Sequence, residues 1–171
     1  MLLIGLLFVL GGCSMKNTVR EATAEYLDAY VNLDQDIVRQ LNNQARRYYK
    51  NDRIRSKYVE VVKRQYSNMN YDIVKEEYDD EFAYATVRID VYDLYKVTKE
   101  ATDNVNKFLL EDGQYDRESF NLYKLDKMLE SEDRVSYDIV IKLLLTDDSW
   151  SVIQLSNDNL EKIHGIYNYG V

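Results

Sequence analysis

Few residues in this 171-residue chain have types and spacing suited to chemistry. Tyr84, Arg88, Asp90 and Tyr92 alternate along one side of a β-rich stretch, opposite Ala83, Ala85, Val87, Ile89 and Val91. A carboxylate and a phenol on one face can serve as base and oxyanion donor if an apolar cavity raises the carboxylate's pKa. Read as a solvated sheet surface, the same face carries cross-strand charge pairs and no chemistry. His164 is the only histidine and Cys13 the only cysteine. A lone imidazole identifies no Ser-His-Asp triad, and a lone thiol excludes an internal disulfide or a Cys-based zinc cluster. His164, just before Gly165, reads as a favourable residue at a helix C-terminus. The acidic runs Asp79-Asp80-Glu81 and Asp147-Asp148 lack the ligand spacing of an EF-hand and read as polar turns. After residue 12 the glycines are Gly113, Gly165 and Gly170, too scattered for a phosphate-binding loop. No residue is assigned a catalytic role, and neither a metal nor a cofactor is expected.

Charge is unevenly distributed. Residues 39–64 hold nine Lys or Arg (Arg39, Arg46, Arg47, Lys50, Arg53, Arg55, Lys57, Lys63 and Arg64) against Asp52 and Glu60. That local +7, within a net charge of −8, leaves −15 for the remainder. Arg39, Arg46 and Lys50 fall on one face of a helix, and Arg53, Lys57 and Arg64 on a face of the next. Such faces suit anionic headgroups or wall polymers, at about 1 kcal/mol per charge beside a membrane. They equally suit solvent, or the acidic stretch further along the chain. The overall acidity argues against a nucleic-acid partner.

The location of the protein is read from its first residues. Residues 2–10 form an apolar run about half the length needed to span a bilayer core, which fits the apolar region of a signal peptide. Leu10-Gly11-Gly12-Cys13 then resembles the bacterial lipobox, whose cysteine is lipidated and becomes the new N-terminus. No Lys or Arg precedes the apolar run, so the basic first region of a signal peptide is expected to be missing or truncated. The resemblance implies attachment through Cys13 to the outer face of the cell membrane, with the thiol consumed by lipid. Residues 1–12 are expected to be the signal peptide, 13–17 a tether, and 18–171 one domain. The counter-reading is a buried first element with an incidental cysteine.

Periodicity defines the elements that must position any site. Val19, Ala22, Tyr26, Tyr30 and Leu33 make a helical stripe, with Thr18 and Glu21 as a capping box. Ile37, Leu41, Ala45 and Tyr48 make a second stripe. Tyr58, Val62, Tyr66 and Met69 make a third, in a helix beginning near Asp52. The period then drops to two: Tyr71–Tyr78 and Phe82–Leu94 form an antiparallel hairpin. Residues 95–133 return to polar helical sequence as an insert. A second hairpin follows, with Val135, Tyr137, Ile139, Ile141, Leu143 and Leu145 alternating, a turn at Asp147-Asp148-Ser149, and a return over Trp150–Leu155. Ser156 caps a short final helix that stops at His164-Gly165.

This order predicts an α+β fold, with N-terminal helices packed on a mostly antiparallel four-stranded sheet. Asn32-Leu33-Asp34 between the first helices, Asn68-Met69-Asn70-Tyr71-Asp72-Ile73 before the first strand, and Asp147-Asp148-Ser149-Trp150-Ser151-Val152 in the last hairpin resemble the nuclear transport factor 2-like superfold. The whole plan resembles small lipoproteins of low-GC Gram-positive bacteria that carry such a domain. The resemblance implies a curved sheet forming a cone, with the helical insert as a departure from the minimal fold. Enzymes of this superfold place Asp, His or Tyr inside the cone, which is what would make Tyr84, Arg88, Asp90 and Tyr92 a site. The first expectation is nonetheless a non-enzymatic, membrane-anchored module binding a small apolar or amphipathic ligand or an envelope protein. A structural homodimer, with sheets packed through Val140 and Leu144, is the alternative. An isomerase or dehydratase using Asp90 and Tyr92 is the third.

Overall fold

Three helices open the chain in this computed structural model, which describes residues 15–169. Helix α1 (Val19–Val31) starts at the expected capping box: the Thr18 side chain accepts from the Glu21 amide, and Glu21 accepts from the Thr18 amide. Helix α2 (Gln35–Tyr48) follows a tight turn in which Leu33 takes a φ of 54°. Helix α3 (Asp52–Ser67) is capped by Asn51, whose side chain accepts from the amides of Arg53 and Ile54. Cys13 and the expected signal peptide lie outside the described residues. Lys16 and Asn17, expected in the tether, are instead held on the sheet. The Lys16 amide donates to Asp148, and Asn17 exchanges two hydrogen bonds with the Trp150 backbone.

The sheet is open and antiparallel, in the order β1 (Asn70–Asp79), β2 (Phe82–Tyr92), β3 (Arg134–Thr146) and β4 (Ser149–Val152). Between β2 and β3 the chain leaves as α4 (Leu94–Asp103), a 3₁₀ turn (Val105–Phe108) and α5 (Arg117–Glu130), then returns beside the strand it left. Helix α6 (Asn157–Ile163) is capped by Ser156 and ends at Gly165, with a φ of 67°. The acidic runs are hairpin turns. Asp147 and Asp148 both have positive φ, as a two-residue turn matching strand twist requires, and Asp80 does so in the first hairpin.

Strand β1 runs one residue further at each end than the sequence reading, and two other strand limits differ by more. Strand β4 stops at Val152 rather than Leu155. Leu94 opens α4 instead of closing β2, because the Asp93 side chain accepts from the Lys96 amide and caps a helix there.

Two apolar cores result. In the larger, Ala83, Ala85, Val87, Ile89 and Val91 of β2 meet Ile139, Ile141 and Leu143 of β3, all 0% exposed. They pack with Val19 and Leu27 of α1, Val62 and Tyr66 of α3 and Ile163 of α6. The inner sheet face, where a hollow cone would hold its ligand, is therefore lined by buried side chains, aliphatic at its centre with Tyr137 and Trp150 beside them. The smaller core joins Ile54 and Val61 of α3, Tyr92, Leu94 and Val97, and Leu125 and Met128 of α5. Helix α3 belongs to both.

Candidate functional site

The residues singled out on β2 do not converge. Tyr84, Arg88 and Asp90 lie on the outer face of the sheet, in register with Lys142, Asp138 and Ser136 of β3. Arg88 grips Asp138 through two hydrogen bonds of 2.9 and 3.2 Å, and this guanidinium holds the Asp138 carboxyl below its ordinary pKa. Asp90 pairs with Arg134 and accepts from the Ser136 hydroxyl at 3.1 Å. It faces away from the core, so the apolar cavity needed to turn it into a base is missing at that position. Tyr92 departs from strand alternation in its surroundings. The chain turns at Asp93, and α3 and α5 cover that end of the sheet, so Tyr92 is buried in the smaller core with the Arg64 guanidinium stacked 3.7 Å above its ring. Val140 is exposed, but its outer-face neighbours include the Arg88–Asp138 pair.

The basic segment is also divided. Lys57 pairs with Asp126 and Arg64 with Glu132, both on the helical insert side, while Arg39 pairs with Asp36. Arg46, Lys50 and Arg53 have no ion pair among the described residues. No group of His, Cys, Asp and Glu that could hold a metal occurs among the described residues, and no helix among them is long and apolar enough to cross a membrane.

A different site emerges where the cores meet. A cleft of about 270 Å³ opens between α3, α4, α5 and the segment after α6. Its apolar wall is Val61, Val62, Leu94, Leu125, Met128 and Ile166. Tyr49, Tyr58, Tyr95, Thr98, Lys124 and His164 complete the lining. Each is delivered by local structure. Tyr58, Val61 and Val62 share a face of α3, and Lys124 and Met128 stand one turn apart on α5. Ile166 reaches the cleft because Gly165 reverses the chain. A Cβ at Gly165 would lie 2.1 Å from the Tyr92 carbonyl oxygen and 2.4 Å from Gln65 Nε2. The Gly165 carbonyl then accepts from the Tyr95 amide at 2.7 Å, and the Tyr169 hydroxyl donates to buried Asp93, also at 2.7 Å. The tail is thus tied across the start of α4.

The polar groups of the cleft share one property. The hydroxyls of Tyr49, Tyr58 and Tyr95 have no hydrogen-bond partner among the described residues. Burial, with the nearby phenols Tyr49 and Tyr48 adding to it, pushes the Tyr58 hydroxyl up to about 12, so it stays protonated and able to donate. Lys124 has no carboxylate partner, and burial moves its ammonium below the usual lysine range. Lys127, one turn on, is exposed, pairs with Glu130 and shifts the opposite way. His164 packs against Tyr66, with their rings stacked and Nε2 2.7 Å from the phenolic oxygen. Burial pushes its pKa down to about 4, so it is neutral at pH 7.

Tyr58 was expected as a core residue; Lys124 was not singled out at all. Its signal in the sequence is position, for Phe120, Lys124 and Met128 follow one another at intervals of four, which puts a lysine on the apolar stripe of its helix. Comparison of the chain with protein-family models, with curated proteins and with solved structures found no match.

Proposed function

We propose that this chain is a non-enzymatic binding module, held on the outer face of a bacterial membrane by lipid on Cys13, whose ligand site is the cleft between α3, α4 and α5. One observation carries the binding reading. The inner face of the sheet is filled by buried side chains, whereas the junction of the two cores keeps an open apolar cleft of about 270 Å³. Concave apolar sites with a few polar groups are where small ligands bind. The volume is somewhat under twice that of a cavity that takes up benzene, roughly 150 Å³, and so suits a small guest.

Catalysis draws less support, since Asp90 is engaged by Arg134 and Ser136 on the outer face and Tyr92 is buried elsewhere. The lipobox-like Leu10-Gly11-Gly12-Cys13 supports the anchor, and a homodimer through the outer sheet face would have to cover its charged ladder. The reading is tested by titrating the full chain with 1-octanol and following side-chain methyl NMR signals. Shifts are expected for Val61, Leu125 and Met128 and not for Ile139 or Ile141, and Thr98→Leu, which fills the cleft, removes them. Shifts spread evenly over both cores, or none, would refute the cleft as a site. For the anchor, metabolic labelling with an alkynyl fatty acid is expected to mark the protein and to be lost in Cys13→Ser.

A further inference from the structure

The cleft's polar lining specifies more than a small apolar guest. Its titratable groups are Tyr49, Tyr58, Tyr95, Lys124 and His164, with no Asp or Glu among them. The three phenols lack partners among the described residues, and Lys124 has only the Phe120 ring, 5.9 Å from its ammonium. Among the positive side chains that α5 presents or meets, Lys57 has Asp126, Arg64 has Glu132 and Lys127 has Glu130; Arg117 has no ion pair among the described residues but stands exposed at the first turn, outside the cleft. Asp126 and Glu130 are thus already engaged by other cations. A cation drawn partly out of water beside apolar side chains is costly unless a counter-charge joins it. The lining therefore offers donors and one positive charge, and lacks the acceptor that would answer them.

We infer that the ligand is a small amphipathic monoanion, a carboxylate on an apolar body, whose head pairs with Lys124 and accepts from the phenols while its body lies against Val61, Leu125 and Met128. One ammonium balances one negative charge, which favours a carboxylate over a doubly charged phosphate monoester. Burying the paired head excludes water and strengthens the pair. The chemistry equally excludes a cationic amphiphile, since it would set its charge against Lys124 with no acid nearby. This inference rests on the cleft being the ligand site.

Three eight-carbon probes separate the two levels of the claim on the full chain without detergent: octanoate, 1-octanol and octylammonium, measured by calorimetry and methyl NMR. Octanoate is expected to bind tightest and octylammonium weakest. Lys124→Met is expected to weaken octanoate about 10- to 100-fold, the worth of a charged hydrogen-bonded pair, while leaving 1-octanol within about twofold. Lys124→Glu is expected to reverse the order of octanoate and octylammonium, an outcome that a misfolded variant cannot produce. Equal binding of octanoate and 1-octanol, unchanged in Lys124→Met, would overturn the carboxylate assignment and leave the cleft standing. Failure of all three probes would overturn both.

Discussion

The two cores of this chain draw on different side chains and end in different states. Between the sheet and α1, the centre is Ala, Val, Ile and Leu, which carry no polar atom and can be enclosed completely; eight such residues on β2 and β3 have no exposure, with Tyr30, Tyr66, Tyr137 and Trp150 around them. Between α3, α4 and α5, the space is bounded by Tyr49, Tyr58, Tyr95, Lys124 and His164. Each has an apolar body and a polar tip, and the tip must reach water or a partner. A wall built from such residues closes at a cost when a tip is left unsatisfied, as at Tyr137 of the larger core, whose buried hydroxyl has no partner among the described residues. His164 finds Tyr66, but the tips of Tyr58 and Lys124 find nothing among the described residues, and the wall stays open as a cleft. The difference lies in side-chain chemistry more than in backbone geometry, since α3 serves both cores with consecutive residues, Val61 facing one and Val62 the other.

Side-chain deletion separates the two cores most directly. Ile139→Ala removes a branched side chain from a fully enclosed position, where neighbours can relax little and water cannot enter. It is expected to cost about 4–5 kcal/mol, near the top of the range for such changes. Leu125→Ala enlarges a cleft that already opens to solvent, so the expected loss is about 2–3 kcal/mol. Urea unfolding of both variants measures the gap. Equal losses would mean that the cleft is closed in solution and the two cores are one.

A second, smaller effect comes from His164, which lines the cleft and stacks on Tyr66 of the larger core, where the aliphatic positions of β2 and β3 have nothing to titrate. His164 has its folded-state pKa pushed down to about 4, below the ordinary imidazole value near 6.5. Between those values the unfolded chain binds the proton and the folded chain does not, so stability rises with pH through that window. Moving from about pH 6.5 to 5, where most carboxylates are still ionised, is expected to cost roughly 1–2 kcal/mol. The figure sits at or below the full shift because His164 keeps some contact with solvent. Thermal unfolding across this window should show the slope in the parent chain and a flatter line in His164→Gln. A persistent slope in the variant would assign the effect to other groups.

What was legible in the sequence divides along the same line. Elements governed by neighbours in the chain could be read directly: the Thr18–Glu21 capping box, the Ser156 cap, the Gly165 stop and the alternation of Ala83 through Val91 all depend on residues a few positions apart. The α+β plan with its helical insert followed from them. The candidate site was not legible, because its parts lie on α3, α4, α5 and the tail, separated by tens of residues. Period-two alternation assigned Tyr92 to the polar face. Its burial depends on α3 and α5 arriving over the end of β2, and no local pattern reports that. Lys124 was hidden for a different reason. Lysines are usually solvated, and only its place on the Phe120–Met128 stripe distinguishes it from Lys127.

The smallest effects concern the basic segment, where the sequence shows one +7 cluster and the fold divides it into two kinds of residue. Arg64 is a connecting residue. Its guanidinium stacks on Tyr92, donates to the Ser131 carbonyl at 2.9 Å and pairs with Glu132 at 2.7 Å, joining α3 to the end of α5 and to β2. Arg64→Ala is expected to cost about 1–3 kcal/mol, since it uncovers Tyr92 and leaves the Ser131 carbonyl without its donor. Arg64→Lys should recover only part, because an ammonium neither stacks nor presents a planar fork. Arg53, exposed and without an ion pair among the described residues, should change stability by no more than about 0.5 kcal/mol on replacement by alanine. A loss at Arg53 equal to that at Arg64 would mean that the segment acts as one electrostatic unit. A loss confined to Arg64 would mean that its charges near α5 hold the walls of the cleft together, leaving Arg46, Lys50 and Arg53 free to meet an anionic surface.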